Sequence, residues 1–151
     1  MKRKCINCLM ASFPALSENE GLARSLIAAF VALPDPTTTE LADLRCAVSE
    51  AVTNAVVHAY RGTGGTVYIS ARLYDDRTVR VEIRDRGCGI ADTKEAMQPL
   101  FTTDTGGERS GMGFAVMEAF CDRVTVHSTP GRGTRVILEK RLSEAKDERE
   151  I

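Results

Sequence analysis

Two stretches of this chain alternate apolar and polar residues at period two, so each can bury one face only. Val67, Ile69, Ala71 and Leu73 share one side of the first, and Val79, Val81 and Ile83 share one side of the second. Asp75-Asp76 turns the chain between them, which predicts an antiparallel pair. A final hairpin is predicted from residues 123–128 and 134–140 around Pro130-Gly131-Arg132-Gly133. Residues 8–14 can add a short edge strand that Pro14 ends. Half-buried strands of this kind need a cover on one side.

Segments with helical spacing supply the cover. Ser17 and Glu20 form a capping-box pattern. The helix behind it carries Leu22, Leu26 and Phe30 on one ridge, with Ala23, Ile27 and Val31 beside it, and stops at Pro34-Asp35-Pro36. Thr37 and Glu40 make a second box, opening a helix over about 40–60 with Leu41, Leu44, Val48, Ala51, Val52, Ala55 and Ala59 as its buried stripe. A short helix over 114–121 follows Gly111-Met112-Gly113. The order β-α-α-β-β-loop-α-β-β predicts an α/β two-layer sandwich, a mostly antiparallel sheet covered on one face by helices. The 151 residues suit one domain, 1–151, with a charged tail from 143.

Twenty basic and twenty-one acidic residues leave a net charge of −1, which predicts no bulk grip on nucleic acid or on an anionic membrane. The longest nearly pure apolar run, 26–33, is far short of the ~20 residues of a spanning helix. No secretory signal follows Met-Lys-Arg-Lys, so a cytoplasmic protein is expected. The cysteines at 5, 8, 46, 88 and 121 are odd in number and scattered, which fits reduced thiols.

Three segments carry chemistry. Glu50, Asn54 and His58 fall at i, i+4 and i+8 on a helix otherwise rich in Ala and Val. An Asn carbonyl is a hard ligand suited to Mg²⁺, and a Glu beside it can take a proton. Alone, this stripe also fits a solvated helix face. Asp85-Arg86-Gly87-Cys88-Gly89 places a carboxylate at a strand end, able to accept from the amine of an adenine, although an ordinary Asp-x-Gly turn reads the same way. Gly106–Gly113 is a glycine-rich loop opening a helix, an arrangement whose backbone N–H groups hold phosphate. It is neither a Walker A loop nor a dinucleotide fingerprint.

In this order the three segments resemble the Bergerat-fold (GHKL) ATP-binding superfamily of gyrases and histidine kinases. Within it they are most similar to the small bacterial anti-sigma factor serine kinases of sporulation. Ser17–Glu20, Ser49–His58, Val67–Ser70, Ile83–Asp85, Gln98–Thr103 and Glu108–Phe114 carry the resemblance, which runs over about 10–142. It implies a protein serine kinase using ATP/ADP and Mg²⁺. Asn54 is then the metal ligand, Glu50 the general base and Asp85 the adenine anchor, with Gly87 and Gly89 shaping the pocket. Residues 94–110 are the lid. Arg109 lies on the terminal phosphate, Ser110, Gly111, Met112 and Gly113 at the phosphates, and Thr134 beside the base. Arg24 contacts protein partners. The implied partners are a sporulation sigma factor of the sigma F type, an anti-anti-sigma factor phosphorylated on serine, and a second copy of the chain in a homodimer. A non-catalytic nucleotide-gated module that sequesters a sigma factor, and the general-stress counterpart of the same family, are the competing readings. Cys5-x-x-Cys8 departs from the family pattern and reads as reduced thiols on a short strand.

Overall fold

The computed structural model of the chain describes residues 2–60, 64–90 and 113–144. The alternating segments form strands as their patterns require. β1 (Cys5–Pro14), β2 (Thr66–Tyr74), β3 (Thr78–Asp85), β4 (Arg123–Thr129) and β5 (Gly133–Arg141) pair antiparallel in the order β1-β2-β3-β5-β4. One face of the sheet carries Val67, Ile69, Ala71 and Leu73 from β2, Val79, Val81 and Ile83 from β3, and Val136 and Leu138 from β5, all buried. Burying a side chain of this size stabilises the fold by about 1.5–3 kcal/mol relative to exposure.

The helices α1 (Asn19–Ala32), α2 (Thr38–Thr53) and α3 (Gly113–Phe120) cover that face. α1 lies against β1 and β2, α2 against β3 and β5, and α3 against β4, with α2 touching both other helices. This is the two-layer sandwich the patterns predict. Lys140 of β5 ties the layers by donating to the Phe120 carbonyl at 2.8 Å and pairing with Asp43 of α2 at 3.4 Å. No helix among the described residues is long and apolar enough to cross a membrane.

Thr37 caps α2 as predicted: its hydroxyl accepts from the Glu40 N–H, and the Glu40 carboxylate accepts from the Thr37 N–H. The same pattern at α1 does not form a box. Glu18 occupies the cap position with no side-chain bond, while the Glu20 carboxylate accepts from the Ser49 hydroxyl and pairs with Arg24. The buried side of α1 is also rotated from the predicted ridge. Ala23, Ile27, Phe30 and Val31 are buried, whereas Leu22 is 47% exposed. The second helix is not one α-helix to residue 60, because it passes at Asn54 into a π-helix over Asn54–Ala59.

No helix among the described residues covers the opposite face of the sheet. Strand alternation places Tyr68 and Arg72, Arg80 and Arg84, Arg135, and Arg123 and His127 there, with Glu82 and Glu139 as the intervening acids.

Candidate active site

The last turns of α2 bring Glu50 and Asn54 to the helix that begins at Gly113. A Cβ built on Gly113 would lie 3.3 Å from Glu50 Oε2 and 3.5 Å from both Asn54 Oδ1 and Nδ2. The start of α3 therefore abuts an acid from α2 and an amide from the first residue of the π-helix, and a side chain at 113 would crowd both. Glu50 and Asn54 are each half-buried, so they remain open to a ligand from one side. His58 is half-buried too, but the wider π-turn breaks its i+4 spacing from Asn54.

The far end of the π-helix is fixed to the loop after β3. The Cys88 N–H donates to the Ala59 carbonyl at 2.8 Å. Gly87 sits so close that a Cβ there would meet the Ala59 carbonyl oxygen at 2.3 Å. The Tyr60 hydroxyl donates to the Thr66 carbonyl at 2.6 Å and accepts from the Arg86 N–H at 2.8 Å. Six residues of π-helix thus join the Glu50–Asn54 pair to the loop that begins at Asp85.

Asp85 ends β3 and is only 7% exposed. Its Oδ1 accepts from the Gly87 N–H at 2.9 Å and the Thr134 N–H at 3.2 Å. Burial raises its pKa above the ordinary carboxylate value, and the two N–H bonds pull it partly back. Gly89, at φ +74°, lets the same loop approach the Thr129 carbonyl, where a Cβ would stand 2.4 Å away. The Ile90 N–H donates to Ser128 Oγ, which is 2.8 Å from Thr134 Oγ1, and the Gly131 N–H donates to the Cys88 carbonyl at 2.7 Å. The loop is held on one side by the π-helix and on the other by the β4–β5 hairpin.

Two groups of predicted residues are therefore assembled: Glu50, Asn54 and Gly113, then Asp85, Gly87, Gly89 and Thr134. Arg109, Ser110, Gly111 and Met112 lie outside the described residues, as does the lid of residues 94–110. Arg24 is half-buried on α1, its guanidinium 3.5 Å from Glu20, which also accepts from the hydroxyl of Ser49 beside Glu50. Cys5 and Cys8 are exposed free thiols on β1. Among the described residues no three His, Cys, Asp or Glu side chains gather as metal ligands. Sequence reasoning missed Tyr60, Ser128 and Gly133. The aromatic directly before the 61–65 loop was the available signal for Tyr60. At Gly133 a Cβ would lie 2.2 Å from the Asp85 carbonyl oxygen, a contact that no local pattern announces.

The model for the histidine kinase-like ATPase domain matches residues 13–140. The chain belongs to that family, on the side of it that holds the anti-sigma F factors. It is 51% identical over 141 residues to the anti-sigma F factor of Bacillus licheniformis and 50% identical over the same length to that of Bacillus subtilis strain 168. Each alignment spans 93% of this chain and 96% of the relative. Among solved structures, the RsbU and RsbW domains of a Mycobacterium tuberculosis protein superpose with a TM-score of 0.69 at 25% identity. That match covers 92% of this chain and 33% of the longer one. The catalytic domain of the histidine kinase ThkA superposes with a TM-score of 0.54 at 17% identity, over 89% of this chain and 96% of that domain, and so shares the fold.

Proposed function

We propose that this chain is an anti-sigma factor that binds a sporulation sigma factor of the sigma F type. As an ATP-dependent serine kinase, it also phosphorylates the matching anti-anti-sigma factor. The observation that carries the reading is the meeting of Glu50, Asn54 and the Gly113 end of α3, one π-helix away from the buried Asp85. The naming of relatives near 50% identity as anti-sigma F factors supports the same reading. The resemblance adds a cytoplasmic homodimer, with Arg24 facing the protein partners.

Asp85 accepts from the exocyclic amine of adenine, with Gly87, Gly89 and Thr134 holding its loop. The Gly113 N–H at the head of α3, together with Ser110, Gly111 and Met112, which precede it in sequence, takes the phosphates. Arg109 neutralises the terminal one. A divalent cation fits the Asn54 carboxamide: one hard oxygen, with no cluster of three metal-ligating side chains among the described residues, suits Mg²⁺, which keeps its waters and phosphate oxygens. When bound, Mg²⁺ supplies charge neutralisation. Glu50 takes the proton of the substrate serine as its oxygen bonds to the terminal phosphorus and the bond to the departing ADP oxygen breaks.

The test is intact-mass spectrometry of a candidate anti-anti-sigma protein after incubation with this chain and Mg-ATP, beside a Glu50→Ala variant. The expected result is one phosphoryl group on a serine, lost with the variant while ATP binding persists. Undiminished transfer by the variant removes Glu50 as the base. ATP binding without any transfer by the unaltered chain favours the non-catalytic sequestering module.

A further inference from the structure

The net charge of −1 conceals a strong separation of sign. On the sheet face without helices, Tyr68, Arg84, Arg135 and His127 stand in one register row across β2, β3, β5 and β4. A pocket of about 620 Å³ opens at that end of the sheet, lined by Arg84, Arg86, Arg132 and Arg135, and also by Asp85 and Thr134 of the loop and strand described above. None of Glu50, Asn54 and Gly113 lines it, and Arg84 and Arg135 point away from the helix-covered face by strand alternation. All four arginines are exposed. Arg135 pairs with Glu82 at 3.5 Å, while no carboxylate among the described residues pairs with Arg84, Arg86 or Arg132. Arg84 and Arg86 both rest over the Tyr68 ring, 5.5 and 5.1 Å from its centre. Stacking orders a guanidinium through its plane and leaves its N–H edge for an acceptor.

We propose that this arginine pocket docks an acidic peptide segment of a partner protein. Carboxylates match the guanidinium fork in a bidentate geometry. Three features select spaced carboxylates over a nucleic acid. The aromatic ring a base would stack on already carries two guanidinium groups. Glu82 and Glu139 interrupt the arginines across the same face and repel a continuous phosphate backbone. The chain as a whole, at −1, exerts no long-range pull on a polyanion. The pocket shares Asp85 and Thr134 with the adenine end of the proposed nucleotide site but none of the groups assigned to phosphoryl transfer, so the proposal rests on the arginines and not on the kinase reading.

The test is fluorescence anisotropy of a fluorescein-labelled glutamate-rich peptide titrated with the full chain at low salt. An Arg84→Glu, Arg132→Glu double variant should weaken binding by at least ~10-fold, as expected for loss of desolvated charge-assisted contacts. Arg45→Glu, the same charge change on an exposed position of α2, should leave it within ~2-fold. If the double variant does not fold, Arg132→Gln on the exposed hairpin carries the test with a loss of ~3-fold or more. The proposal is overturned if the pocket variants bind the peptide as the unaltered chain does, or if Arg45→Glu weakens binding equally. It is also overturned if an oligothymidylate of the same length binds more tightly at the same ionic strength.

Discussion

Substituting Gly87 by alanine tests whether the Asp85 loop and the π-helix form one unit. The new Cβ would lie 2.3 Å from the Ala59 carbonyl oxygen, 2.5 Å from its carbon and 2.7 Å from the Ala59 Cβ. All three atoms belong to Ala59, whose backbone and short side chain have no flexible tip to yield, so restoring ordinary contact requires the loop to retreat by about 1 Å. That movement lengthens the 2.8 Å Cys88 N–H bond to Ala59 past useful range, costing about 0.5–1.5 kcal/mol. Strain from overpacking adds about 1–3 kcal/mol. A combined loss near 3 kcal/mol lowers the melting temperature by roughly 6–12 °C in a chain of this length. The same shift displaces Gly87 N–H from Asp85 Oδ1 and weakens binding of a fluorescent ATP analogue. Gly131→Ala is the matched control. Its positive φ of +79°, which Gly87 does not share, strains an alanine, but nothing stands within 4 Å of the new Cβ, so it should lose stability without losing nucleotide. A Gly87→Ala chain that melts within about 1 °C of the parent and binds the analogue equally would refute the coupling.

Asp85→Asn keeps an oxygen acceptor for the Gly87 and Thr134 N–H groups while removing a buried charge. Because burial raises the folded-state pKa, protonation favours the folded chain, and that contribution fades as pH rises through the raised value. Chemical denaturation across mildly acidic to neutral pH should therefore show the variant gaining on the parent as pH increases, while its affinity for ATP falls. A parent that gains on the variant over that window would mean the two N–H bonds outweigh burial. Cys121, buried with its thiol pushed up to about 12, should be the last of the five cysteines to react with a maleimide at neutral pH, read by peptide mapping. Labelling at Cys121 as fast as at the exposed Cys46 would contradict that burial.

The sheet was legible because period two leaves no ambiguity about which side chains share a face. Every apolar residue picked from β2 and β3 is buried. Helical period is less decisive. Adjacent ridges on α1 both satisfy it, and packing buried Ala23, Ile27 and Val31 of one with only Phe30 of the other, leaving Leu22 exposed. Two identical capping patterns diverged for a comparable reason. Glu40 reaches back to Thr37 while also accepting from Ser143, whereas Glu20 is turned to Ser49 and Arg24. The π-helix had no sequence signature, since the bond drawing Ala59 to Cys88 comes from another strand's loop. Glu50, Asn54 and Asp85 were legible as residue types at a spacing. Their supports, Tyr60, Ser128 and Gly133, act through contacts distant in sequence. The arginine face was hidden by a charge sum that cancels across the molecule.

The two donors on Asp85 Oδ1 come from residues 2 and 49 positions away in the chain. The β2–β3 and β4–β5 hairpins can close locally, but the second donor arrives only when β5 docks on β3 across an intervening helix. Such distant pairing forms late in folding. A ligand resting on Asp85 therefore has nothing to grip until the sheet is nearly complete. It cannot act as a template that speeds assembly. It acts as a latch, slowing unfolding and leaving the folding rate unchanged.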